Sequence, residues 1–184
     1  MRHRTIVIDP PWAYDTSTPL AGSVNAAAEK QYQTMGLDAI GALPVKTLAD
    51  KSAHLYLWTT NPFLFESRWL AEAWGFRYVT MLTWHKLGAP GMGYYFRGDT
   101  EHVLFAVRGD APIPPAIRVS NHFAAAKGRH SEKPDRFYEI VERVSPGPWL
   151  EMFARRRRVG WDVWGNEAPE ADAALTQQHM DLVA

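Results

Sequence analysis

Strand-like and helix-like segments alternate along the whole chain, which predicts an α/β fold: one sheet with helices on both faces. Three observations carry this. The β-branched run Thr5-Ile6-Val7-Ile8 stops at Asp9-Pro10-Pro11-Trp12; two strand-like stretches, 54–59 and 78–84, enclose apolar residues at helical spacing; and a helix-like segment after Pro134 leads into a strand at 149–153. At 184 residues the chain fits one domain. Residues 1–167 are expected to fold together, with 168–184 an Ala-rich, acidic and flexible tail.

Composition narrows the classes. There is no cysteine, which excludes a disulfide framework and a thiolate metal site and suits a reducing, cytoplasmic setting. No apolar run approaches the roughly 20 residues of a membrane span, and Met1-Arg2-His3-Arg4 leads into a short strand rather than a secretory apolar region. Net charge is zero, yet the tail from Asn166 holds Glu167, Glu170, Asp172 and Asp181 with no Lys or Arg. Twenty bases against sixteen acids remain in residues 1–165, a body charge of +4. That permits a nucleic-acid partner without requiring one.

The first strand ends in two prolines because proline cannot extend a central ladder, so Asp9-Pro10-Pro11-Trp12 forms a rigid loop at a strand's carboxyl end. In open α/β sheets ligands bind along that edge. Asp9 can accept a hydrogen bond from an exocyclic amine, and the Pro10 carbonyl, held by fixed proline φ angles, can accept a second. Two acceptors on one nitrogen draw its lone pair out of conjugation with a ring and make it nucleophilic. Trp12 offers a flat face for an extruded base, a contact worth roughly 1 to 3 kcal/mol. The plain alternative is a turn with a capping Asp and a core Trp.

Residues 13–33 are small and polar, without periodicity, and read as a lid-like loop closed by Tyr32-Gln33-Thr34-Met35-Gly36. A helix from Leu37 to about Leu43 and a turn at Pro44 follow. After strand 54–59, the residues Phe63, Phe65, Trp69, Leu70, Ala73 and Trp74 predict a helix capped by Gly75. Strand 78–84 then completes a β-α-β unit with parallel pairing. His85-Lys86 open a loop where Gly88, Gly91 and Gly93 interleave with Tyr94, Tyr95 and Phe96; its spacing is no dinucleotide or phosphate-binding fingerprint. Its aromatics either contact a ligand or tuck into the core. Residues 101–109 form a strand ending in a turn. Pro112, Pro114 and Pro115 break structure before a short edge strand at 117–119, and 122–130 reads as a basic connection. Phe137, Ile140, Val141 and Val144 share a helix face stopped by Ser145-Pro146-Gly147-Pro148. The last elements are strand 149–153, the basic loop Arg155-Arg156-Arg157-Arg158 and strand 159–164.

Taken together, Asp9-Pro10-Pro11-Trp12, Tyr32-Gln33-Thr34-Met35, Leu57-Trp58-Thr59, Thr83-Trp84-His85-Lys86, Glu101-His102, Lys133-Pro134-Asp135 and Ser145-Pro146-Gly147 resemble the adenine-N6 methyltransferases of the type that writes methyladenosine into messenger RNA, the MT-A-seventy family. The match runs from residue 5 to about 167. The resemblance implies a Rossmann-like methyltransferase fold in permuted order, the catalytic strand first and the cofactor-associated strand, 149–153, later. It implies S-adenosylmethionine as cofactor, S-adenosylhomocysteine as product, and a small stand-alone prokaryotic or phage-type enzyme.

By the same resemblance Asp9, Pro10, Pro11 and Trp12 are catalytic. Asp9 and Pro10 hold the 6-amino group, Asp9 also meets the cofactor's ammonium, and Trp12 stacks on the base. Lys86 matches the lysine for the cofactor's carboxylate, and Asn166 and Glu167 match an Asn-Gln pair on its ribose. Arg155 keeps the charge of the family's Arg-Pro-His-Asn segment, whereas Arg157 and Arg158 replace its His and Asn and could grip cofactor or phosphate. Tyr32, Tyr94 and Tyr95 are the further substrate-contact candidates, and no metal is expected. The family's upstream Asp-Ile pair for the cofactor's adenine has no counterpart in the eight residues before Asp9. The expected substrate is adenine in DNA, single-stranded or flipped, with RNA, a free nucleoside or nucleotide, or a non-catalytic nucleic-acid-binding role as alternatives. With no separate recognition domain, target choice falls to the loops, the Arg cluster, a homodimer or a partner subunit.

Overall fold

The computed structural model describes residues 2–13, 34–91, 95–128 and 132–164. Tyr32, Tyr94, Asn166, Glu167 and the tail lie outside the described residues. Among those described, seven strands form one sheet: β1 (His3–Ile8), β2 (Ala49–Thr59), β3 (Arg77–Leu87), β4 (Thr100–Arg108), β5 (His122–Ala126), β6 (Trp149–Met152) and β7 (Trp161–Trp164), in the order β5-β3-β4-β2-β1-β6-β7. β4 is antiparallel to both its neighbours, while the β1–β2, β1–β6, β6–β7 and β3–β5 pairs are parallel. Six strands therefore end on one edge, where β4 begins.

Helices cover both faces, as expected. Against one face pack α1 (Leu37–Gly41), α2 (Val45–Leu48) and α3 (Leu64–Ala73), burying Ile40, Val45, Leu70 and Trp74 on Ile6, Ile8, Leu55, Leu57 and Leu104. On the other face α4 (Asp135–Val144) buries Phe137, Ile140, Val141 and Val144 on Val7, Tyr56, Trp58 and Phe105. Successive residues of a strand face opposite sides, so the unbroken apolar run of β1 is what a strand covered on both faces needs. Ser145 Oγ ties α4's end to β2, lying 2.7 Å from both His54 Nδ1 and Tyr56 Oη.

Four expectations need correction. β2 and β3 run the same way but do not pair: β4 inserts between them, because Val103 to Val107 are apolar on both sides and need a central position. The edge strand is not at 117–119, where Pro115–Ile117 makes a 3-10 turn, but at His122–Ala126, held by pairing with β3 and by Trp84 Nε1 donating to the Ala125 carbonyl at 3.0 Å. The helix expected to about Leu43 ends at Gly41, a second short helix, α2, capped by Pro44, stands where a turn was expected, and β3 runs on through His85 and Lys86 instead of giving way there to a loop.

Gly109 ends β4 at φ +61°, and a Cβ there would lie 2.3 Å from the Lys51 carbonyl oxygen. Gly109→Ala is expected to destabilise the fold by about 1 to 3 kcal/mol or more, read as a lowered urea midpoint at unchanged slope.

Candidate active site

Asp9 follows β1 directly, between strands reached by chain running in opposite senses: β2 on one side, β6 on the other. This is the topological switch point of the sheet, where a crevice opens. The loop is fixed by its backbone. The Asp9 amide donates to the Met152 carbonyl at 3.4 Å, the Trp12 amide to Pro10 at 2.9 Å, and the Met35 amide to Pro11 at 2.8 Å. The Pro10 carbonyl thus spends one lone pair on the loop and keeps one; the Pro11 carbonyl is tied to Met35.

The Asp9 carboxylate heads an alternating array of charges. Lys133 Nζ lies 3.2 Å from Asp9 Oδ2 and 3.1 Å from Glu101 Oε2, and Lys86 Nζ lies 2.5 Å from Glu101 Oε1. Lys133 keeps only 8% of its side chain exposed and lies 4.7 Å over the Trp58 ring. Burial alone would lower its pKa, but Asp9 and Glu101 overcome that and hold it above the usual lysine value. Burial pushes the Asp9 carboxyl up, Lys133 and Arg155 oppose it, and the net shift is upward. Glu101, between two ammoniums, is held below the usual range despite its own burial. Each member comes from a different element of the same edge: the end of β1, the end of β3, the start of β4 and the turn before α4.

A second acid sits nearby. Glu151 on β6 pairs in register with Val7, so it points to the same face as Asp9 two residues on. It accepts a hydrogen bond from Tyr138 Oη at 2.5 Å, and the Arg158 guanidinium lies 4.0 Å from the Tyr138 ring centroid. Burial, reinforced by Asp9, pushes the Glu151 pKa up to about 7.

The sequence-derived candidates divide. Asp9, Pro10 and Pro11 stand at the switch point. Trp12 does not stand open as a stacking face: it is 7% exposed, stacks on Phe63 at 4.8 Å and 13°, and donates Nε1 to the Trp58 carbonyl at 3.3 Å. This is the core Trp of the plain alternative, and its role here is to anchor the loop. The lysine against Asp9 is Lys133; Lys86 reaches the site only through Glu101. Arg155 is close enough to act on Asp9, while Arg158 binds Asp135 at 2.6 Å and Arg157 is exposed. Tyr95 is exposed on the β3–β4 connection. Lys133, Glu101, Tyr138 and Glu151 are the residues that sequence reasoning did not place in the site. Lys133 and Glu101 had a signal, being in two of the quoted landmarks; the other two lay in a helix face and a strand.

A molecule with an ammonium, a carboxylate, a ribose and a sulfonium fits this donor set. Asp9 and Glu151 suit its cationic and hydroxyl groups. Lys133 and the arginines suit its carboxylate, and Arg158 Nε is buried with no hydrogen-bond partner among the described residues. No group of three or more potential metal ligands occurs among the described residues.

Glu151 also sets a pH dependence. Its folded pKa of about 7 exceeds the unfolded 4.5, so between those values the folded protein holds a proton that the unfolded chain has released. Stability therefore falls as pH rises through that window and levels off above it. Glu151→Gln, whose amide oxygen still accepts from Tyr138, is expected to gain stability relative to the parent across the window, reaching on the order of 2 to 3 kcal/mol, measured by denaturant melts at several pH values.

The sequence profile of the MT-A70 family matches residues 3–167. The chain is 32% identical to the Mycoplasma "Type II methyltransferase M.MunI" over 98% of its own length and 84% of that protein's. It is 28% identical to mouse "N(6)-adenine-specific methyltransferase METTL4", covering 96% of this chain and 38% of the relative. With human "N(6)-adenosine-methyltransferase catalytic subunit METTL3" it shares 25% identity, covering 96% and 31%. It thus spans most of the bacterial relative and about a third of these two mammalian ones. The chain belongs to the MT-A70 family.

Proposed function

We propose that this chain is an S-adenosylmethionine-dependent methyltransferase acting on the 6-amino group of adenine in nucleic acid, with DNA as its substrate. The observation that carries the proposal is the half-buried Asp9 carboxylate at the sheet's switch point, held by the buried Lys133 and followed by a rigid Pro-Pro turn. DNA is favoured because the type II methyltransferase is matched along most of its length, whereas the named adenosine methyltransferases are far longer than this chain. A cytoplasmic setting goes with that reading; among the described residues no helix is long and apolar enough to cross a membrane.

S-adenosylmethionine supplies an electrophilic methyl group when bound. The protein's part is to orient the nucleophile. Asp9 accepts a hydrogen bond from the amine, and the remaining lone pair of the Pro10 carbonyl accepts a second, which localises the nitrogen's own lone pair. When the amine nitrogen takes the methyl group, the sulfonium–methyl bond would break and S-adenosylhomocysteine would leave; the Asp9 carboxylate would stabilise the cationic amine and accept its departing proton. Lys133 opposes the protonation that burial favours at Asp9 and fixes one of its oxygens; Glu101 in turn favours the charged form of Lys133. This preorganisation, with proximity, can supply about 7 to 11 kcal/mol of the barrier. In this reading Lys133 takes the carboxylate-contact role first given to Lys86, with Arg155 and Arg158 beside it. An adenine in a duplex must leave the stack to reach Asp9, at a cost of a few kcal/mol.

Labelled methyl transfer to matched single-stranded DNA, duplex DNA and RNA, with nuclease digestion and mass spectrometry, tests the proposal. N6-methyladenine in DNA is expected; label on RNA alone moves the substrate, and no labelled adenine on any of them refutes the activity. Asp9→Ala is expected to lower turnover at least about 100-fold while calorimetry still detects cofactor binding. Lys133→Met removes the cation that lowers the Asp9 pKa, so the acid limb of the rate profile moves to higher pH; a limb that stays in place refutes the coupling.

A further inference from the structure

The connection between β3 and β4 rises from the active site itself. At its base are the Lys86–Glu101 ion pair and the Lys86 amide donating to the Asp99 carbonyl at 2.7 Å, and above them the Gly91 amide donates to Gly98 at 2.8 Å. On this connection two consecutive large aromatics, Tyr95 and Phe96, stand 88% and 90% exposed. Leaving such a side chain in water forgoes about 1.5 to 3 kcal/mol of burial, and nothing in the fold described above depends on either ring.

Two cations brace the same connection. Arg97 donates to the carbonyls of Pro90 at 2.9 Å and Gly91 at 3.4 Å, and Lys127, just past β5, donates to Ala89 at 3.0 Å. These bonds hold the two side chains by carbonyls alone: among the described residues, neither is within ion-pair distance of a carboxylate. Exposed aromatics and cations on one element are what proteins use to hold single-stranded nucleic acid: rings stack on bases and cations meet the backbone.

We propose that Tyr95 and Phe96 form a stacking platform for bases flanking the target adenine, with Arg97 and Lys127 meeting the adjacent phosphates. The inference rests on the nucleic-acid reading above and adds the element that grips the strand outside the catalytic pocket. The reach is sufficient. Phe96 lies five positions before Glu101, a span of at most ~18 Å, while a strand advances about 3.4 Å per nucleotide. The platform therefore meets bases within about five nucleotides of the target. Both side chains are exposed, so replacing them leaves the fold intact.

The test uses the full chain and single-stranded DNA with one target adenine and 2-aminopurine placed in turn at each flanking position. The wild type is expected to change the fluorescence at one or two neighbouring positions. The double variant Tyr95→Ala with Phe96→Ala should lose that response and bind the oligonucleotide at least tenfold more weakly, with S-adenosylmethionine affinity and thermal midpoint unchanged. The aromatic exchange Tyr95→Phe with Phe96→Tyr should retain both, and Leu at both positions should not. A double Ala variant that binds within twofold of wild type with the same fluorescence response overturns the platform while leaving the methyltransferase reading in place. A change in its oligomeric state by light scattering also overturns it, by showing that the rings meet protein. A wild type with no affinity for the oligonucleotide overturns both.

Discussion

The contact between the Asp9 carboxylate and the Lys133 ammonium, 3.2 Å apart and both largely withdrawn from water, is the constraint on which the rest of the site depends. A buried carboxylate with no partner would take up a proton and become a donor on one oxygen, unfit to accept from an amine. Lys133 answers that cost, and Glu101 answers the cost of burying Lys133 in turn. Lys86 continues the alternation to the edge of the site. Removing one member of such an array leaves a buried charge uncompensated, which is more damaging than never having had the pair.

The sheet makes this array possible. β4 runs against its neighbours, so its first residues, including Glu101, arrive at the edge where β1 and β3 end. α4 packs on one face of the sheet through Phe137 and Val141, and that packing delivers Lys133, two residues ahead of the helix, to Asp9. The acids at the centre are unequal. Glu101 has two cations and is held ionised, whereas Glu151 has a tyrosine hydroxyl and a distant arginine and holds its proton to about pH 7. Neighbouring carboxyls with different affinities for protons are a usual mark of a working site.

Much of this was legible in the chain. The β-branched run halted by two prolines located the site loop, and the apolar spacing of α4 and of α3 located the helices that cover the two faces. The strand order was not legible, because antiparallel insertion of β4 depends on which apolar run competes best for the centre, a tertiary matter. β5 was missed because its sequence, His-Phe-Ala-Ala-Ala, has little strand character and is held by its neighbour. Trp12 was misplaced for a similar reason: the same flat ring serves a base or a core, and only the presence of Phe63 and the Trp58 carbonyl decides. Lys86 and Lys133 illustrate a further limit. Both are lysines at the edge, and local sequence cannot say which one folds back on Asp9.

The most direct measurement is carbon-13 NMR of the Asp9 carboxyl as a function of pH, assigned by comparison with Asp9→Asn. Although burial raises its affinity for protons, the Lys133 contact should keep Asp9 ionised at neutral pH, with its titration on the acid side. An Asp9 carboxyl still protonated at pH 7 would contradict the account, since it could not then serve as the acceptor that orients the adenine amine.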